Sequence, residues 1–212
     1  MTYPKAYEGV KKLISAEVLQ IISAILALIV AVLSAAAVAG ADSALEGSEV
    51  AAAGVLGAGL GALIFGIGIL VLAVISVILT ILGLKKASED EPRYFKLAFL
   101  SAIGLLVASI LNGFLSGVHG IGAALSTLTN MCSILMFLYS IYGIKQLAIN
   151  LGNTELPKLS TVIIVIEVVQ IVLSIVASFV DVLAIVASVL SLVGYIVYLV
   201  YLTKAKKMLE AN

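Results

Sequence analysis

The 212 residues are 63% hydrophobic and 11% charged, against about 45–50% and about 25% for soluble domains. That balance excludes an ordinary water-soluble globule and is the one expected when lipid is the outer solvent. Twelve Lys and Arg offset twelve Asp and Glu, and no basic run interleaved with aromatics marks a groove for RNA or DNA, so no nucleic-acid partner is expected.

A helix needs about 20 apolar residues to cross a hydrocarbon layer of about 30 Å. Six runs meet that length, near residues 13–40, 58–84, 97–116, 127–144, 159–180 and 182–202. The first has Lys11 and Lys12 in front and small residues behind, as a signal peptide does. It is far longer than a signal core of about 7–15 residues, so it reads as an uncleaved span. The second run starts nearer Val50; its Ala/Gly-rich beginning, 51–62, reads as a surface turn or a tilted extension. Gly57 and Gly61 there form a small-xxx-small pair, with Gly54, Gly59, Gly66 and Gly68 nearby, a pattern that lets membrane helices approach closely. None of these glycines precedes a Lys-Ser/Thr, so a phosphate loop is excluded.

Residues 89–93, Glu-Asp-Glu-Pro-Arg, read as a solvated turn between the second and third runs. The third run carries Ser109, Asn112 and Ser116, and the glycine-rich stretch 113–122 behind it holds His119 on an exposed loop. The fourth carries Asn130, Ser133 and Cys132. As the only cysteine, Cys132 rules out an intrachain disulfide, and one Cys with one His leaves too few ligands for a zinc centre, so no metal or other cofactor is expected. No Ser/His/Asp or Cys/His set can be assembled, so enzymatic chemistry is not expected.

Charge sets the topology. Lys5, Lys11 and Lys12 precede the first run, and Lys85, Lys86, Arg93 and Lys96 join the second to the third. Lys145 and Lys158 join the fourth to the fifth, and Lys204, Lys206 and Lys207 follow the sixth. With six spans all these segments fall on one face. The opposite loops hold Asp42, Glu46, Glu49, His119 and Asp181 and no Lys or Arg. The positive-inside rule then places both chain ends in the cytoplasm, in a cell-membrane protein.

The chain also repeats. Pro4, Pro92 and Pro157 precede the odd-numbered spans, each followed by a Lys-Leu pair: Lys12-Leu13, Lys96-Leu97 and Lys158-Leu159. Even spans end alike, on 79–85, 139–145 and 198–204, with Tyr139, Tyr142, Tyr198 and Tyr201 placed like interfacial tyrosines. The expected fold is an all-α integral membrane protein: one membrane domain over 1–212, a six-helix bundle of three tandem hairpins, near 4–88, 92–150 and 157–208. The hairpins share one orientation, as parallel repeats do.

Glu167 lies eight residues past Leu159, about 12 Å along a helix at about 1.5 Å per residue. A charge placed there usually faces a bundle interior. Gln170, Ser174, Ser178 and Asp181 extend the same helical face. Facing stripes come from Ser188, Ser191, Tyr195 and Tyr198 on the sixth run and from Asn112 on the third. Glu17 and Gln20 on the first run repeat the Glu167/Gln170 spacing, although Glu17 is only one turn inside the edge, from where it can snorkel to water. The expected solute-binding set is Glu167, Gln170, Ser174, Glu17, Gln20, Tyr139, Tyr198 and Asn112, with Glu167 hydrogen-bonded to a tyrosine hydroxyl or to Gln20. Interhelical hydrogen bonding alone would also explain such stripes.

The expected function is binding or transport of a small solute or ion, alone or as the membrane subunit of a transporter with a separate energy-coupling partner. The alternative is a non-catalytic scaffold that assembles or regulates a membrane complex. Lipid is the partner common to both.

Overall fold

Long runs of Leu, Ile, Val and Ala, with no proline in a helix interior, specify helices. In lipid a helix also satisfies every backbone group within its own segment. A computed structural model of the chain has six: α1 (Pro4–Leu45), α2 (Glu49–Ala87), α3 (Pro92–Leu115), α4 (Ile121–Asn150), α5 (Glu155–Ala177) and α6 (Asp181–Ala211). The structure describes residues 2–45, 49–115, 121–177 and 181–212, with side chains described at 2–35, 59–115, 121–173 and 189–212. Each of the six is long and apolar enough to cross a membrane, and there is no strand among the described residues. The chain is an all-α, multi-pass membrane protein.

The helices outrun the apolar runs. α1 has 42 residues and starts nine positions before Leu13, and the Ala/Gly-rich stretch 51–62 is helical throughout. Caps rather than hydrophobicity end them at the lysine-bearing side. Pro4 and Pro92 open α1 and α3, and Pro157 is the third residue of α5, where a missing N–H costs nothing. The Glu91 carboxylate accepts from the amides of Tyr94 (3.0 Å) and Phe95 (3.4 Å) at the start of α3. Asn153 Oδ1 accepts from Glu155 and Leu156 at the start of α5, both at 3.0 Å. α4 closes in a Schellman turn: the Asn153 amide reaches the carbonyl of Ala148 and that of Gly152 the carbonyl of Ile149. That geometry needs a left-handed residue, and Gly152 supplies it at φ 69°.

Two compact units divide the chain. One is Met1–Glu17 with Val77–Asn212; the other is Val18–Ser76. The first has its buried core where the lysine-bearing helix ends meet. Ala6, Val10 and Leu13 of α1, Leu84 and Ala87 of α2, Phe95 of α3, Ile144 and Leu147 of α4, Leu156 of α5 and Tyr201, Leu202 and Leu209 of α6 all belong to it. The residue 2 amide donates to the carbonyl of Asn212 at 2.9 Å, so the described ends of α1 and α6 lie together. Backbone approaches set the packing: a Cβ on Gly9 would meet the Gly83 carbonyl oxygen at 2.5 Å, and one on Gly143 would meet the Phe95 ring at 2.8 Å.

The stretch 89–93, expected as a solvated turn, is built into this end. Asp90 Oδ2 accepts from the Ala6 amide at 2.7 Å, so the loop caps α1 as well as α3. Lys5 pairs with Glu89 at 3.6 Å and Lys86 with Glu8 at 2.9 Å. The hydrogen bond and charge of Lys86 hold the exposed Glu8 carboxyl below its ordinary range. Away from this end the surface is apolar. On α1 of the second unit Val18, Ile22, Ile25, Ile29 and Val32 are exposed at alternating four- and three-residue steps, a stripe suited to acyl chains. In that unit a Cβ on Gly61 would sit 3.6 Å from Leu33, an ordinary contact.

Candidate functional site

Three helices of the first unit bring polar side chains into one region. α5 contributes Glu167 and Gln170, one turn apart on one face. From α6, Ser191, Gly194, Tyr195 and Tyr198 follow at the same kind of spacing. α1 adds Glu17. Gln170 donates from Nε2 to Ser191 Oγ at 2.7 Å, tying α5 to α6. Gly194 makes room for that amide, since a Cβ there would lie 3.0 Å from Gln170 Oε1. Tyr195 lies within electrostatic reach of both Glu17 and Glu167, and Tyr198 within reach of Glu17.

Glu17, expected in the set although placed where it could snorkel, is the most enclosed of its carboxylates. It is 5% exposed, not snorkelling, and its Oε1 accepts no hydrogen bond among the described residues. Glu167 is half-buried and makes no hydrogen bond among the described residues. Its electrostatic neighbour is Tyr195, which belonged to the facing stripe but not to the expected site. No Lys or Arg makes an ion pair with either carboxylate among the described residues; the three ion pairs found lie at the lysine-bearing end.

Tyr198 is buried and its hydroxyl shares a 2.8 Å hydrogen bond with Ser140 on α4. Its ring packs on Phe137, 4.8 Å between centroids. Tyr139 is half-buried against the core, and Asn112 is half-buried on α3, which packs chiefly against α4. Gln20 is half-buried in the 18–76 unit and is described with that unit alone. The side chains of Ser174, Ser178, Asp181 and Ser188 lie outside the described residues, as do His119 and Ser116.

The tyrosines expected at the interface divide. Tyr142 is exposed, stacked on Tyr94, with Lys145 over its ring at 5.8 Å, as an interfacial residue should be. Tyr201 is fully buried. Its hydroxyl lies 2.8 Å from Ser160 Oγ and 3.2 Å from the Ile141 carbonyl, while Ser160 also donates to the Leu156 carbonyl at 2.8 Å. Two protons serve three contacts. The short set has Ser160 donating to Leu156 and Tyr201 donating to Ser160. The sequence marks none of these serine partners, because each pairing joins helices far apart in the chain.

The polar groups of these helices are mostly acceptors: the carboxylates of Glu17 and Glu167, the tyrosine hydroxyls and the Gln170 amide oxygen. No group of three or more His, Cys, Asp and Glu that could hold a metal ion occurs among the described residues. Comparison with known proteins gives no match: no family model, no curated protein and no solved structure aligns with the chain.

Proposed function

We propose that the chain binds a small solute or ion between α1, α5 and α6 and carries it across the membrane. The observation that supports this most is Glu17: a buried carboxyl whose Oε1 has no partner among the described residues is more than interhelical bonding needs. Polar side chains that only join helices are expected to find each other, as Gln170 and Ser191 do. Intramembrane carboxylates without partners mark ion or solute paths. The energy comes from a gradient or from a separate coupling subunit. The protein sits in the cell membrane with both ends in the cytoplasm, on the positive-inside rule. Its three hairpins are parallel repeats. Gly83 and Gly143, each two residues before the lysine that ends its span, are both points of close approach within their hairpins, which supports that reading.

The test is binding of a solute panel to the purified full chain, with Glu167→Ala and Gln170→Ala. Loss of binding in both, with helicity and elution profile kept, is expected; unchanged binding in both removes the site. One observation favours the scaffold reading instead: Gly59 and Gly66, two turns apart on one face of α2, have no described atom within 4 Å of an added Cβ, a smooth strip for another helix. A stoichiometric protein partner retained in mild detergent, with no solute bound, would decide for it.

A further inference from the structure

We propose that Arg93, Tyr94, Tyr142 and Lys145 form a binding site for the headgroup of an anionic phospholipid. The site lies apart from the solute reading above and shares no residue with it. Tyr94 of α3 stacks on Tyr142 of α4, with ring centroids 5.8 Å apart and planes 28° from parallel. The Arg93 guanidinium lies over the Tyr94 ring at 5.3 Å, and the Lys145 ammonium over the Tyr142 ring at 5.8 Å. Each ring face attracts its cation, so one stacked pair of rings holds two positive charges in place. Neither cation forms an ion pair among the described residues; the three pairs found take Lys5, Lys86 and Lys204. The acidic residue nearest in sequence to Arg93, Glu91, is buried and turned to the amides of Tyr94 and Phe95. The cluster therefore carries positive charge that no carboxylate of the described residues offsets by direct contact.

What lies below the cluster selects a lipid. Lys96 and Lys145 stand at the ends of the third and fourth apolar runs, which is headgroup depth for a spanning helix. Leu97, Leu100 and Val107 are exposed four, seven and fourteen residues after Arg93, so they share its side of α3. Leu135, Met131 and Leu128 are exposed seven, eleven and fourteen residues before Tyr142, on its side of α4. A Cβ on Gly104 would lie 3.2 Å from Cys132 Sγ, so the two helices run side by side beneath the tyrosines. A phosphate held at the cations thus has two apolar strips leading away from it into the hydrocarbon, one for each acyl chain. The guanidinium fork matches two phosphate oxygens, and the ammonium adds a point charge. Free phosphate would use the cations and leave the strips without a role.

The full chain, purified in a neutral detergent, would be titrated with phosphatidylglycerol, phosphatidylcholine or glycerol phosphate, and the bound molecules counted by native mass spectrometry. Saturable binding of phosphatidylglycerol is expected, tighter than that of phosphatidylcholine. Glycerol phosphate, which has the anion without the acyl chains, should not displace it. A cation close to an anionic headgroup is worth about fivefold in affinity, so Arg93→Gln with Lys145→Gln should weaken phosphatidylglycerol binding about 25-fold. Either substitution alone should weaken it about fivefold, and serves if the double variant does not fold. Lys206→Gln with Lys207→Gln removes the same charge from the same end outside the cluster, and should change affinity by less than about twofold, since separated exposed charges are screened. Equal affinity for the two lipids overturns the proposal. So does an equal loss in both double variants, which would mean diffuse attraction rather than a site. Full displacement by glycerol phosphate would also overturn it, in favour of a site for free phosphate.

Discussion

Substituting Gly9 by Ala tests the packing of α1 on α2 at the lysine-bearing end. A Cβ there would lie 2.5 Å from the Gly83 carbonyl oxygen, 2.8 Å from the Ala87 nitrogen and 2.9 Å from the Ala87 Cβ. Ordinary C···O contacts fall at about 3.3 Å, so the helices must part by about 0.8 Å. None of the three atoms belongs to a flexible side chain that could swing away. A gap of about 0.5–1 Å forfeits about a quarter to a half of each dispersion contact around it, and Val10, Leu13 and Leu84 are buried in the same cluster. Overpacking of this kind costs about 1–3 kcal/mol. With three rigid atoms inside 3.0 Å the upper part of that range, about 2–3 kcal/mol, applies; alanine returns about 1 kcal/mol of helix propensity, so the net loss is about 1–2 kcal/mol. For a chain of this size that lowers the midpoint by about 2–8 °C. The sole cysteine, half-buried Cys132, serves as reporter through a thiol-reactive fluorogenic dye. Gly66→Ala is the control, because no described atom lies within 4 Å of its added Cβ; its midpoint should hold or rise. A Gly9→Ala midpoint equal to or above that of the unsubstituted protein refutes the close approach.

Four further outcomes are expected. Tyr201→Phe should cost about 1 kcal/mol, by breaking the hydroxyl's hydrogen bond to Ser160, and lower the same midpoint by about 2–4 °C; no change would mean the hydroxyl is not bonded. Asp90→Ala should uncap α1 at a cost of about 0.5–2 kcal/mol, seen as faster hydrogen exchange at the Ala6 amide; unaltered exchange there counts against the cap. The Glu8 carboxyl should titrate below 4.5 by carbon NMR, so its contribution to stability is present above that pH and is lost as pH falls through the lowered value; Lys86→Gln should return it towards 4.5. In a Cys132→Ala background, Lys85→Cys and Lys145→Cys should both react with an impermeant thiol reagent from the same side of sealed vesicles, and reaction from opposite sides would refute the topology.

Run length and charge made the helices legible. Six apolar stretches match six helices, and every Lys and Arg lies near the end that joins the buried cluster. The α5 and α6 stripes were legible too, since Glu167, Gln170, Ser191 and Tyr195 follow helical spacing. Glu17 was named in the set, but its burial was not legible: its depth from Lys12 allowed snorkelling, whereas it is 5% exposed, and no local pattern reveals that. Asp90 was hidden for the same reason: a cap normally belongs to the helix it precedes, and this one serves α1 from 84 residues away. The serine partners of Tyr198 and Tyr201 look like ordinary helix residues until α4, α5 and α6 are brought together.

The Asp90 cap also sets an order of events on the ribosome. The Ala6 amide emerges 84 residues before its acceptor, a delay of about 4–17 s at about 5–20 residues per second. Through that interval the first helix is already made, yet its opening turn stays unlocked. Docking of that turn is therefore timed by synthesis of the α2–α3 loop, and a lengthened loop would delay the first hairpin before it disturbed the last.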